Sequence, residues 1–173
     1  TYVNLLPESP KVDGKLDDWS AGTRWQEVGN AGLAAVTISG DRLYAAFKTS
    51  DPHLLENDAV NPTFMFKHGG CIDLMIGTDA SADRKRTSPV PGDLRLLVTK
   101  AKGKSVAMLY RAVVSGTAEK DRVLFESPIG KVWFDRVDDI SGQLHLAQDG
   151  SNAEFSVPLS ALSLSPKAGE SVL

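Results

Sequence analysis

Three carboxylates crowd the start of this chain: Asp13, Asp17 and Asp18 lie within six positions, just ahead of Trp19. Acids at this density, around a turn at Gly14, offer hard oxygen ligands. Calcium takes about six to eight oxygens, backbone carbonyls included, and often collects them from loops. Asp13, Asp17 and Asp18 are therefore candidate ligands of a structural calcium ion shared with a second loop. A solvated acidic edge is the competing reading. Further acids, Asp51, Asp73, Asp135, Asp138, Asp139 and Glu154, fall in or near expected strand ends. Paired carboxylates hydrolyse glycosidic bonds only when they face each other at roughly 5–10 Å across a cleft. No pair here stands out.

The other chemistry-bearing residue types are sparse. His53, His68 and His145 are the only histidines, and their spacing matches no zinc motif. Gly69-Gly70 lacks the strand, glycine-rich turn and helix that cradle a phosphate. No serine sits in a nucleophile elbow. The single cysteine, Cys71, excludes an internal disulfide and reads as a small hydrophobe on a strand. No catalytic set emerges, so the chain is read as a non-enzyme.

The aromatic residues pose a sharper question. An aromatic plate can cover the apolar C–H face of a sugar ring while nearby polar groups bind its hydroxyls. Trp133 alternates with Val132 and Phe134, so it points away from them and toward solvent. Trp25 follows a Gly-Thr-Arg turn. Trp133 and Trp25 are the candidate ligand-binding plates, whereas Trp19, Tyr44 and Tyr110 read as packing residues.

The elements that must position these groups are strands. Leu33–Ile38 and Leu43–Lys48 flank Ser39-Gly40-Asp41-Arg42 and form an expected antiparallel hairpin. In the second run Leu43, Ala45 and Phe47 share one face, the period of two of a half-buried strand. Cys71–Ile76 repeats the pattern. The polar, proline-bearing stretch Asp79–Gly92 is a long exposed loop. Runs at Leu94–Val98, Ser105–Arg111, Val123–Glu126, Val132–Phe134, Gln143–Ala147 and Ala153–Val157 follow. Asp51–Asn61 has room for a turn or two of helix, and Ser160–Leu164 for a single turn. Many short strands without long helical patterns predict an all-β, antiparallel, jelly-roll-like β-sandwich. It is read as one domain spanning residues 1–173.

Composition sets outer bounds. The 173 residues are 42% hydrophobic and 24% charged, with a formal charge of −3. That balance belongs to an ordinary globular domain and gives no pull toward nucleic acid. No stretch approaches the roughly 20 apolar residues that span a bilayer, so membrane insertion is not expected. The chain opens at Thr1 without a basic-then-apolar segment, as expected of a mature protein or an excised domain. At the other end Pro166–Glu170 reads as a turn and Ser171-Val172-Leu173 as a strand just opening. The fold is expected to be truncated there, or completed by another segment.

Val12-Asp13-Gly14-Lys15-Leu16-Asp17-Asp18-Trp19 resembles the opening signature of the family-nine-like carbohydrate-binding modules, a β-sandwich group related in shape to the DOMON domains. Asp41–Phe47, Gly70–Asp79 and Ala153–Leu162 resemble later strands of that family, in order. The resemblance implies an extracellular or periplasmic, non-catalytic module of a larger protein. It further implies a polysaccharide or oligosaccharide partner, adjacent domains, and structural calcium. A structural or protein-interaction domain on the same sandwich is the alternative. The DOMON relation also implies haem binding, with Met65, Met75, Met108 or His145 as an axial ligand.

Overall fold

The computed structural model describes residues 3–6, 8–19, 22–79, 81–83, 85–127 and 130–165. Its strands are β1 (Asn4–Leu5), β2 (Gln26–Val28), β3 (Gly32–Ser39), β4 (Arg42–Thr49), β5 (Glu56–Asn57), β6 (Ile72–Gly77) and β7 (Asp93–Ala101). They continue with β8 (Lys104–Arg111), β9 (Val123–Ser127), β10 (Gly130–Phe134), β11 (Arg136–Asp139), β12 (His145–Asp149) and β13 (Asn152–Pro158). Short 3-10 turns occupy Pro62–Lys67, Glu119–Asp121 and Ser141–Gln143, and no α-helix occurs among the described residues. The fold is all-β and predominantly antiparallel, as the alternating side chains require. The chain divides into two compact units, one formed by the described residues of Thr1–Leu55 and Gly142–Ser171, the other by those of Glu56–Ser141.

The first unit holds a sheet in the order β1-β3-β4-β13-β12, with β2 also paired to β3. The expected hairpin is present as β3 and β4, with Thr37 opposite Tyr44 and Ile38 opposite Leu43. Register places Ala35, Ala46 and Glu154 in one cross-strand row. The two alanines leave space above the sheet, and Trp19 fills it, flanked by Val12, Leu16 and Trp25. This cover changes one expectation. Strand β4 is buried on both faces rather than one, with Leu43 and Ala45 on one side and Tyr44 and Ala46 on the other.

The opening motif folds as a braced loop. The Lys15 amide donates to Asp13 Oδ1 at 2.9 Å, and the Lys11 amide to Asp18 Oδ2 at 2.5 Å. Gly14 is fixed twice over. Its φ is +89°, and a Cβ there would lie 2.8 Å from the Asp149 nitrogen. Only glycine meets both conditions without strain.

The second unit holds a sheet in the order β11-β8-β7-β5, with β6 paired to β7, and a separate β9-β10 hairpin. Met75, Arg95 and Tyr110 form one row across β6, β7 and β8, and Asp73, Leu97 and Met108 form the next row on the same face. Leu97, Met108 and Tyr110 pack with Met65, Phe125 and Phe134 in one cluster. Burying each of the larger side chains contributes roughly 1.5–3 kcal/mol. The turn Pro62–Lys67 brings Met65 there, and Asn57 pins it. The Asn57 Nδ2 donates to the Met65 carbonyl at 2.8 Å, while its Oδ1 accepts from the Ala59 amide at 3.0 Å.

Asp51–Asn61 forms a turn and β5 instead of helix. The Asp51 side chain takes the His53 amide at 2.8 Å, holding the chain in that turn. Ser160–Leu164 is a hydrogen-bonded turn, with the Leu164 amide on the Leu159 carbonyl at 2.9 Å. The expected turn and strand at Pro166–Leu173 lie outside the described residues.

Candidate functional site

A cavity of about 590 Å³ lies in the second unit. Its floor is the Met75–Arg95–Tyr110 row, and one wall is β10, which contributes Val132, Trp133 and Phe134. Alternation explains how that wall is built. Phe134 is buried in the core cluster beside Phe125, which fastens the hairpin to the sheet. Its neighbour Trp133 must point the other way, and it is 41% exposed. Among the described residues six large hydrophobic side chains are exposed, and three of them, Met75, Val132 and Trp133, meet in this cavity. Apolar side chains concentrated around one concavity mark a binding site more strongly than isolated ones do.

The remaining wall comes from the loop before β7, which is exposed and polar as expected. Arg86 folds it back onto the sheet through two bonds to Asp93, Nη2 to Oδ1 at 2.6 Å and Nε to Oδ2 at 3.2 Å. The Arg86 Nη1 also donates to the Asp83 carbonyl at 3.0 Å, and the Val90 amide to Asp93 Oδ2 at 3.0 Å. An adjoining cleft of about 380 Å³ is lined by Arg86, Thr87, Ser88, Pro89 and Asp93. An apolar chamber and a hydroxyl-bearing cleft thus share Arg86, Pro89 and Asp93.

Arg95 is held as firmly. Its Nε lies 2.9 Å from Asp73 Oδ2, its Nη2 binds the same oxygen, and its guanidinium stacks 4.3 Å from the centre of the Phe66 ring. Burial pushes the Tyr110 phenol up to about 12, against the pull of Arg95. Burial, reinforced by Asp73, also raises the Cys71 thiol above its ordinary value. Both groups therefore stay neutral near pH 7. Arg122 lies 5.6 Å from the Trp133 ring centre and is tied to Asp135 by a 2.8 Å bond.

The two tryptophans expected as plates fall in different units. Trp133 lines the cavity. Trp25 is half-buried against Trp19, with ring centres 5.9 Å apart, and Lys48 Nζ sits 4.0 Å over its ring. Trp19 is a core residue, 6% exposed, as expected.

The carboxylates of Asp13 and Asp18 are turned into their own loop, and Asp17 is exposed. Among the described residues no three His, Cys, Asp or Glu side chains converge to hold a metal ion. Asp73, Asp135 and Asp138 are engaged by arginines, and Asp139 by Ser141. Of the residues considered for haem, Met75 lines the cavity, Met65 and Met108 are buried in the core cluster, and His145 is exposed on β12 in the other unit.

One buried ionisable group was not anticipated. Glu154, placed by the sequence only among acids in or near strand ends, is 1% exposed on β13. Trp19 Nε1 donates to its Oε2 at 3.0 Å, while its Oε1 is buried without a hydrogen-bond partner. Burial pushes its carboxyl up to about 7, opposed by the Trp19 hydrogen bond and reinforced by Asp18. A signal for this was present: the opening motif supplies an aromatic N–H that needs an acceptor once buried.

No protein-family model, curated protein or solved structure matches this chain.

Proposed function

We propose that the chain is a non-catalytic carbohydrate-binding module that takes a glycan into the cavity of the second unit. The observation that carries this reading is Trp133, partly exposed on an apolar wall that adjoins the cleft of Arg86, Thr87, Ser88 and Asp93. A sugar ring has the same division, with an apolar face for the indole and a rim of hydroxyls for charged and hydroxyl partners. Ion-paired arginine and aspartate suit that rim, because a paired carboxylate keeps free lone pairs and both groups are already oriented. The resemblance of residues 12–19 to the opening of family-nine-like modules supports the same reading, and with it a place in a larger secreted protein.

A single plate makes a modest binder. Ring stacking contributes roughly 1–3 kcal/mol by analogy with bases on aromatic side chains. Calorimetric titration with β-glucan, xylan and their short oligomers tests the proposal. Binding by the parent protein that falls about tenfold or more in Trp133→Ala supports it. An intact, folded protein that binds none of a broad glycan panel refutes it.

A further inference from the structure

The charges around the cavity are settled before any ligand arrives. Arg86 gives Nε and Nη2 to Asp93 and Nη1 to the Asp83 carbonyl. Arg95 gives Nε and Nη2 to Asp73 and lays its face on Phe66. Arg122, 5.6 Å from the centre of the Trp133 ring, gives Nε to Asp135. Each of these arginines has its own aspartate, so the three pairs sum to zero. The side chains of all six are between 13% and 35% exposed, which limits the screening water provides. Tyr110 adds no charge near neutrality.

We infer that the cavity admits neutral ligands and refuses anionic counterparts of the same shape, with Asp93 and Asp73 as the specificity-determining residues. The inference rests on the reading that this cavity binds ligand. Three arginines beside a pocket would ordinarily mark an anion receptor, since a free guanidinium forks onto a carboxylate, sulfate or phosphate. Here the forks of Arg86 and Arg95, the two that line the cavity, are filled. An anion entering between Met75, Val132 and Trp133 sheds water and meets guanidinium edges already donated. It also meets Asp93 at close range. Desolvation of the charge is then uncompensated, and that penalty is large. A neutral ring carries no such cost. The aspartates act through the arginines they hold: removal of Asp93 leaves Arg86 charged and unpaired at the junction of chamber and cleft.

Equilibrium dialysis of the intact chain against two matched ligand pairs tests this. One pair is a β-linked glucose tetramer and the same tetramer ending in glucuronate. The other, free of sugar, is 2-naphthamide and 2-naphthoate. The neutral member of each pair is expected to bind at least about tenfold tighter. In Asp93→Asn the gap is expected to shrink to within about threefold, because the freed Arg86 attracts the acid. Equal or tighter binding of the acids to the parent protein overturns the inference. A gap left unchanged in both Asp93→Asn and Asp73→Asn overturns the ion pairs as its cause. Failure of both tetramers, with the naphthyl pair still discriminated, sinks the carbohydrate reading and leaves the charge rule standing. Absence of binding in both series overturns the cavity as a site.

Discussion

Raising the pH through neutrality ionises Glu154 inside the first unit, and this is the most direct physical test of how that unit is held together. In the folded chain its carboxyl is raised from 4.5 to about 7, chiefly by burial. In the unfolded chain it titrates near its ordinary value. Between those limits the folded state holds a proton that the unfolded state has lost, so stability must fall as pH rises. The contribution is complete below about 4.5 and gone above about 7. At about 1.4 kcal/mol for each tenfold change in proton affinity, the loss between about pH 5 and pH 8 is on the order of 2–3 kcal/mol. Urea unfolding, followed by far-UV circular dichroism at several pH values, measures it. Glu154→Gln removes the titration but keeps an oxygen able to face Trp19 Nε1. The difference between the two proteins isolates residue 154, since every other titrating group is common to both. Parent stability that is flat or rising from about pH 5 to pH 8, relative to Glu154→Gln, would show that Glu154 is not desolvated as described.

Three further outcomes follow from the packing. Gly14→Ala forces a side chain into a φ of +89° and within 2.8 Å of the Asp149 nitrogen, so it is expected to destabilise by roughly 2 kcal/mol or more, read from the urea midpoint. Phe134→Ala empties the core cluster and costs roughly 3–5 kcal/mol, whereas Trp133→Ala, one position away, changes the midpoint little and acts on ligand affinity. Trp25→Ala removes the contacts with Trp19 and Lys48, and is expected to lower stability by roughly 1–3 kcal/mol while leaving glycan affinity unchanged in the same titrations.

What could be read from the residues alone divides along a physical line. Period-two alternation marked Leu33–Ile38, Leu43–Lys48, Cys71–Ile76 and Ala153–Val157 as strands, because each carries enough apolar residues to show its faces. It failed for Gln26–Val28 and Arg136–Asp139, which are short and polar and are strands only because β3 and β8 offer them partners. Likewise, Pro62–Lys67 is fixed by the Asn57 side chain, a contact that local propensity does not register. At the site, the outward direction of Trp133 followed from its neighbours. Its companions did not: Met75, Arg95 and Tyr110 meet only through the register of three strands, and Arg86 reaches Asp93 only because the intervening loop doubles back. The burial of Glu154 was hidden for a similar reason. Alternation assigns a side chain to a face but does not say that Val12, Leu16, Trp19 and Trp25 come back to cover it.

The β9-β10 hairpin stands outside the five-stranded sheet of its unit and is fastened by Phe125 and Phe134. Trp133 projects from its other side and answers to few packing constraints, so it can be exchanged with little harm to the interior. Ligand preference and foldability are thereby placed on opposite sides of one ribbon. A library randomised at that position would retune what is recognised while sparing the phenylalanines that keep the ribbon in place.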